Sequence, residues 1–449
     1  CSSDLEICMT KVKKNKLALW TASLCAFGMV MGLVACAPQA ATDGKADQKE
    51  ESKTQKVEMP AADEFGVVVA DSWKDIYPDQ YKTYKENDAN SPDSGKHNYL
   101  ELYPALNTMY KGYAFALGYD EASSHVYSLK SVKETPRTIK KEQLAGCITC
   151  KTPQFTAMVN EKGEGVYKEK FNDMIGQFTE PISCYNCHEN DPSQIKLTHS
   201  YWVDSLGNAA NDDKAAPLGA QACGQCHNEY YFDGETKATT NPYTGLEQMT
   251  PDAILAYYDE RNFKDWEHAD TLAPMLKVQH PEFETIYGGK QTTMAKNGYS
   301  CGDCHMGTVE GENGEYTSHN WTSPLENKQL LENDCNSCHK DLKKQVADWQ
   351  AEEETRVTAI SEKIEALTKG IAEKYADEIA AMKAAKEAGT EVPAASEELA
   401  SLQKIQRNAQ FYWDFVMVEN SEGAHNPTLT FETLDKAEKA VDEGLAKLA

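Results

Sequence analysis

Cys147-Ile148-Thr149-Cys150-Lys151 is the stretch on which the reading of this chain turns. Four more cysteine pairs share its spacing but end in histidine: Cys184 and Cys187 with His188, Cys223 and Cys226 with His227, Cys301 and Cys304 with His305, Cys335 and Cys338 with His339. C-x-x-C-H is the attachment signature of a c-type haem, in which two thiols bond the porphyrin edge and the histidine ligates the iron. Four copies imply four such haems. The fifth pair, with Lys151 in the histidine's place, implies one built differently. In a chain with several haems the odd one is the first candidate for the reaction site. The competing reading is zinc, because two C-x-x-C pairs can close a tetrahedral thiolate site. Zinc leaves the four histidines unexplained and one cysteine pair over.

The 449 residues are enough for more than one domain. Hydrophobic residues make up 40% of the chain, and five haems would add apolar volume that side chains need not supply. Ten of the 14 cysteines sit in the pairs, leaving Cys1, Cys8, Cys25 and Cys36, so few thiols remain for a disulfide scaffold. Met9 is followed by Lys11, Lys13, Lys14 and Lys16, then by an apolar run from Leu17 to Ala35. That is the pattern of a secretion signal over residues 1–35, with residues 1–8 expected to precede the true start. Leu33-Val34-Ala35-Cys36 resembles the lipobox of bacterial lipoproteins, so cleavage before Cys36 and lipidation of that cysteine are expected. The alternative is an uncleaved membrane anchor. Both readings put the body outside the cytoplasmic membrane, in the periplasm or on the membrane's outer face. Residues 1–35 carry four lysines and two acids, so the remaining chain has 41 basic and 69 acidic residues, net −28. That balance argues against a nucleic-acid partner. An anionic substrate would meet repulsion and need a local cluster of cations to enter.

Residues 36–61 are rich in Lys, Glu, Asp, Gln and Ala and read as a flexible tether behind the lipidated cysteine. Residues 62–340 hold all five motifs, at irregular intervals of 37, 39, 78 and 34 residues, in a turn-rich catalytic domain. Over 341–449 the pattern becomes helical. Val346, Trp349, Val357, Ile360, Ile364, Leu367, Ile371, Tyr375, Ile379 and Met382 follow mostly three- and four-residue steps, which is one apolar stripe on a long helix. At helical rise the stripe spans roughly 60 Å. Gly389 and Pro393 end it. A second helix is predicted from about Ser396 to Val418, with Leu399, Leu402, Ile405, Tyr412 and Phe415 inward, and a third from about Thr430 to Leu448. So long a stripe predicts packing against a partner's helix in a homodimer; an intramolecular hairpin is the alternative. The fold class is mainly α: a multihaem cytochrome c fold with few strands, a haem-packed core and long C-terminal helices.

Over about residues 63–449 the chain resembles the pentahaem cytochrome c nitrite reductases that form ammonium. The resemblance rests on the Cys147–Lys151 motif, on Cys223-Gly-Gln-Cys-His-Asn-Glu-Tyr-Tyr-Phe232, on Ala273-Pro-Met-Leu-Lys-Val-Gln-His-Pro-Glu282, and on Arg137 within Glu134-Thr-Pro-Arg-Thr138. It implies six-electron reduction of nitrite at a haem ligated by Lys151 and open on its other face, fed by four electron-transfer haems. A lysine amine binds metal only when deprotonated, which for an ordinary amine costs roughly 4–5 kcal/mol at neutral pH. The resemblance places Arg137, Tyr230 and His280 over the open face as the catalytic residues. Arginine offers a cationic donor fork to an oxyanion. Histidine can hydrogen-bond an oxygen and deliver a proton, and a tyrosine hydroxyl donates and accepts. One calcium ion is also implied, held by the Glu229 and Gln279 side chains and by backbone oxygens of Tyr230 and Lys277; hard oxygen donors suit it.

The same resemblance assigns His319 to the Cys184 haem, His125 to the Cys223 haem and His425 to the Cys301 haem. The Cys335 haem should receive a histidine seven residues before Cys301, where this chain has Met294. Methionine sulfur ligates haem iron and raises its potential, so ligation by His339 and Met294 is predicted. Lys290, Lys296, another loop group or an open site are the alternatives. His97, His199 and His268 are left as structural or surface residues. Implied partners are nitrite, a membrane quinol dehydrogenase of the small multihaem cytochrome c type as electron donor, and a second copy of the chain. Hydroxylamine, NO and sulfite are expected side substrates. A rival function is an electron conduit with no catalytic site, which predicts every iron capped twice by protein. A hydroxylamine-oxidising multihaem enzyme is a second rival; it normally carries more than the five motifs found here.

Overall fold

The computed structural model describes residues 59–449 apart from 92, 94–97, 122, 312 and 313. The secretion signal, Cys36, the tether up to residue 58, and His97 lie outside the described residues. From residue 59 to about 340 the chain runs through short α-helices and 3-10 turns, with three two-stranded antiparallel ribbons. β1 (Tyr231–Phe232) pairs with β2 (Thr239–Thr240), β3 (Trp266–Glu267) with β4 (Pro274–Met275), and β5 (Thr308–Gly311) with β6 (Gly314–Thr317). The fold is mainly α with few strands, as expected.

Two of the cysteine motifs are short capped turns. Ser183 precedes the helix Cys184–His188 and forms a reciprocal capping box with Asn186, whose Oδ1 accepts from the Ser183 amide at 3.0 Å. Ser300 and Asp303 repeat the device on Cys301–His305, at 2.7 Å. Each box satisfies amides at a helix start, and it sets both thiols and the following histidine in one turn.

The tail is a three-helix arrangement. Asp341 accepts from the Lys344 amide at 3.0 Å and starts the helix Leu342–Lys374. The expected single stripe is interrupted: the helix breaks at Tyr375 (φ −112°, ψ 25°) and resumes as Ala376–Glu387. Gly389 (φ +65°) ends that segment. Glu378, in its first turn, accepts from the Ser396 hydroxyl at 3.0 Å and so ties it to the start of helix Glu397–Met417. The last helix, Pro427–Leu448, begins three residues before the expected Thr430 because Asn426 caps it and Pro427 fits its first position.

The stripe is covered by the chain's own helices. Val357, Ile360, Ile364, Leu367 and Ile371 are buried in one core cluster with Leu399, Leu402, Phe415, Leu434 and Val441. This overturns the expectation that the stripe awaits a partner's helix, and the intramolecular arrangement is what forms. The three helices meet closely at Gly444, where a Cβ would stand 2.8 Å from Leu367 and 2.9 Å from Ile405. The same cluster includes Tyr110, Trp202, Met275, Leu276 and Phe283, so the tail and residues up to 340 share a core. Ile405 and Tyr412, expected inward, are half-buried, and the Tyr412 hydroxyl donates to Asp252 at 2.9 Å. Among the described residues no helix is long and apolar enough to cross a membrane.

Candidate active site and electron-transfer centres

The Cys147 motif sits in a second, smaller core with Leu129, Ile148, Phe155, Tyr167 and Phe178. Thr149 meets the Thr239 hydroxyl at 2.8 Å, which fixes the motif to β2. Gly146 is required, since a Cβ there would fall 2.7 Å from the Phe232 ring. The Lys151 carbonyl accepts from the Ser128 hydroxyl at 2.7 Å, and Thr152 caps the helix Pro153–Lys162 that follows. Lys151 is thus held at a helix entrance by backbone, with its side chain half-buried.

Arg137 lies in Pro136–Lys140, just past the helix Ser128–Glu134. Its charge is felt at Tyr230 and at Cys147, while the Lys151 charge is felt at His280. Burial, then the neighbouring Cys150 and Cys147 thiols, pushes the Tyr230 phenol well above its ordinary value, with Arg137 opposing. Burial lowers the His280 imidazole, against the pull of Glu282. Tyr113 belongs to the same neighbourhood: it is coupled electrostatically to Tyr230, Arg137 and Cys147, and its ring stacks on Trp266 at 4.4 Å. Sequence alone gave no signal for it.

Beside this group is a knot of buried carboxyls. Glu229 is fully buried; one oxygen accepts from the Gln279 amide at 2.6 Å and the other from the Tyr258 hydroxyl at 2.8 Å. The Gln279 side chain reaches the Lys277 carbonyl at 3.4 Å. The Lys277 amide donates to Asp265 at 2.8 Å, and the Glu229 amide to Glu284 at 2.7 Å. Burial raises Glu229 well above the carboxylate range, Asp265 to about 7 and Glu284 to about 8. One Glu284 oxygen is buried without a hydrogen-bond partner. Crowded, desolvated acids beside amide and carbonyl oxygens fit a hard divalent cation. Among the described residues no group of three or more His, Cys, Asp and Glu stands in metal-binding array.

Segment 273–280 is clamped from the tail. Asp414 accepts from the Val278 amide at 2.8 Å and pairs with the Lys277 amine at 3.2 Å, and the Tyr110 hydroxyl donates to it. The Lys277 side chain is 1% exposed and that of Asp414 fully buried. Burial raises Asp414 and lowers Lys277.

The four C-x-x-C-H motifs open onto one continuous cavity of about 2910 Å³. His125, His319, His425 and Met294 line it too. Three ring pairs face each other: His188 and His319 with centroids 6.3 Å apart, His227 and His125 at 6.1 Å, His305 and His425 at 6.0 Å. Two imidazoles on opposite sides of one metal, each bonded at about 2.0 Å, would put their centroids roughly 6 Å apart. The spacing alone does not discriminate, because His280 is also 6.2 Å from His227. Behind the rings, Nδ1 of His188 meets the Gln194 carbonyl at 2.8 Å, His319 the Thr317 carbonyl at 3.0 Å and His305 the Thr322 carbonyl at 3.0 Å. His425 meets the Glu419 carboxylate at 2.5 Å and His339 the Gln345 amide oxygen at 3.0 Å. Such partners orient a ligating imidazole and tune its basicity. Met294 stands on the short helix Thr293–Lys296, 43% exposed, lining the cavity with His339 and Lys290.

His199 and His268 are occupied elsewhere. His199 Nε2 is 3.2 Å from the Thr149 carbonyl, and His268 Nε2 is 2.8 Å from the Thr108 carbonyl.

Comparison with known proteins decides the family. The profile of the family named Cytochrome c552 matches residues 70–449. The chain belongs to the cytochrome c552 family. A relative in this family, the cytochrome c nitrite reductase subunit NrfA of Nitratidesulfovibrio vulgaris (strain Hildenborough), is 30% identical over 458 residues, covering 92% of this chain and 84% of its own. The cytochrome c-552 of Aliarcobacter butzleri is 28% identical over 457 residues, covering 98% of this chain and 86% of its own. The solved NrfA from Desulfovibrio desulfuricans, described with two calcium sites, has a TM-score of 0.71 at 23% identity and covers 86% of each chain; it establishes the fold. As a member of this cytochrome c family with five attachment motifs, the chain is a pentahaem oxidoreductase of the nitrite reductase class.

For a cytochrome c552, the order of the centres is what sequence order conceals. Cys150 lies against Cys226, Cys223 against Cys301, and Cys304 next to Cys335. Cys187 approaches the same Cys226. The Lys151 centre therefore adjoins the Cys223 centre, although the Cys184 motif comes between them in the chain.

Proposed function

We propose that this cytochrome c552 reduces nitrite to ammonium at the Lys151 centre, taking up six electrons and eight protons and releasing two waters. The observation that carries this reading is that Tyr230 packs at 5.7 Å on Phe232, the ring that abuts Gly146 at the start of the Lys151 motif, with the Arg137 charge acting on Tyr230 and the Lys151 charge on His280. When bound, the haems supply electrons and an iron position for the substrate nitrogen. The Lys151 amine would ligate the iron of that haem. Arg137 presents its fork to the nitrite oxygens, which overcomes the repulsion of a strongly acidic chain. His280 and Tyr230 hold and deliver protons to those oxygens as they leave.

In the same reading, His188 with His319, His227 with His125 and His305 with His425 would hold the irons of three electron-transfer haems. His339 with Met294 would hold the fourth. Glu229, Gln279 and the backbone oxygens of Tyr230 and Lys277 hold one calcium, which stiffens segment 273–280 and adds positive charge at the pocket. The working form is extracytoplasmic, tethered through residues 36–61 to a lipid on Cys36 once residues 1–35 are removed. Residues 62–340 form the catalytic domain, and 341–449 form a helical region packed on it. A membrane quinol dehydrogenase of the small multihaem type supplies electrons. The chain works as a homodimer through helical faces other than the stripe it has already covered. The test is ammonium formation from nitrite with reduced viologen as donor. Wild-type protein that makes no ammonium, or that binds neither cyanide nor NO at any reduced haem, overturns the proposal in favour of a conduit.

A further inference from the structure

Glu282 stands two residues after His280, at the start of the helix Glu282–Tyr287, with its side chain 8% exposed. Its two oxygens face two different imidazoles. Oε2 is 3.7 Å from Nδ1 of His227, and Oε1 is 3.9 Å from Nδ1 of His280. The tail fixes the carboxylate from behind: the Asn420 backbone amide donates to Oε1 at 3.3 Å, and the Asn420 side-chain amide donates to the same oxygen. The adjacent Phe283 amide donates to the His227 carbonyl at 3.2 Å, so backbone and side chain address one histidine together. Oε2 of Glu282 and Nδ1 of His280 are both buried and lack a hydrogen-bond partner closer than these contacts.

His227 belongs to the Cys223 motif, whose Cys226 lies against Cys150 of the Lys151 motif. In the nitrite-reductase reading it would ligate the iron of the haem next to the reaction site. A carboxylate behind a ligating imidazole orients the ring and raises its basicity, which favours the oxidised iron. The Cys184 centre does without one, using carbonyls behind both His188 and His319. Glu419 plays that part behind His425 and also accepts from Ser421; the other imidazole it acts on is His305, the ring that faces His425. What sets Glu282 apart is that its second ring, His280, belongs to the candidate reaction site.

Resting on the nitrite-reductase reading, we infer that Glu282 is a positioning residue shared by the electron-donating Cys223 centre and the proton-delivering His280. It holds the potential of the one low and the ring of the other turned toward the substrate face.

The test is Glu282→Gln in the holoprotein, with Glu419→Gln as the comparison. Midpoint potentials are read by spectroelectrochemistry, haem by haem, and kcat and KM for nitrite are measured with reduced viologen. Glu282→Gln is expected to raise the potential of the Cys223 centre and to lower kcat by about 10–100-fold, with KM moving less than kcat. Glu419→Gln is expected to raise the potential of the Cys301 centre and, having no contact with His280, to lower kcat by less than Glu282→Gln does. An unchanged Cys223 potential in Glu282→Gln overturns the inference, and so does a kcat loss equal in the two variants. If Glu282→Gln does not retain five haems, Asn420→Ala, which loosens the carboxylate and keeps its charge, must lower kcat with the Cys223 potential shifting; no change in either overturns the inference. Wild type that makes no ammonium would sink the nitrite reading, while the potential shift at the Cys223 centre would still judge Glu282.

Discussion

The Lys151 pocket and the four-motif cavity start from the same five-residue element and differ in what surrounds it. In the cavity three motif histidines each face a second ring, and behind the rings stand mostly carbonyls. Around the Lys151 motif the charges of Arg137 and Lys151 act on Tyr230 and His280, and a knot of buried carboxyls stands beside them. Two ligands close an iron to chemistry and leave it to pass electrons. One ligand plus cations and proton donors leaves a position where an oxyanion can react. A C-x-x-C turn thus attaches a haem, and its neighbours decide what the haem does.

The largest effect that would break this comparison is at His280. His280→Asn is expected to cut ammonium formation by about 10²–10⁴-fold, with haem content and the spectra of the other centres unchanged. Ammonium production at the wild-type rate would remove His280 from the pocket's chemistry.

Next comes the clamp that holds segment 273–280. Lys277 and Asp414 are a fully buried pair. Removing one partner of such a pair costs about 3–5 kcal/mol. Asp414→Ala should show that loss in urea unfolding followed by haem absorbance, and its nitrite KM should rise as the loop carrying His280 loosens. A loss no larger than that of an exposed pair such as Lys344–Asp348 would show that the tail does not carry the pocket.

A smaller effect lies in the cavity wall. Glu353 is 2% exposed, and burial, then Glu422, Glu354 and Glu419, raises its carboxyl from 4.5 to about 8. The native state keeps this proton after the unfolded chain has released it. Stability from this group therefore falls as pH rises from about 4.5 to about 8 and is level above that. Glu353→Gln removes the charge, so its stability advantage over wild type should widen through that window. A gap independent of pH would refute the shift.

The smallest effect concerns Met294, at the exposed end of the cavity. The oxidised protein should show a methionine-sulfur charge-transfer band in magnetic circular dichroism, and Met294→His should abolish it and lower one haem potential. Absence of the band in wild type would pass the position to Lys290 or another group, and nitrite reduction should persist either way.

Sequence by itself determined the chemistry that is local. Five cysteine pairs at fixed spacing, four with histidine and one with Lys151, name the cofactor, count it and single out the odd member. Capping residues such as Ser183 and Ser300 and the helical period of the tail are equally local, because they act within a turn or two of backbone. The tertiary structure decided what depends on distance through space. It covered the long stripe with the chain's own helices, broke the first of them at Tyr375, and set the Cys223 centre beside Lys151. It also gathered Asp265, Glu284, Tyr258 and Tyr113 around residues the sequence had singled out. Those four carry no pattern of their own: an acid or a phenol acquires its role from burial and from neighbours outside its own turn of chain, 12 residues away for Asp265, 29 for Tyr258 and 55 for Glu284, and neither is written in the order of the chain.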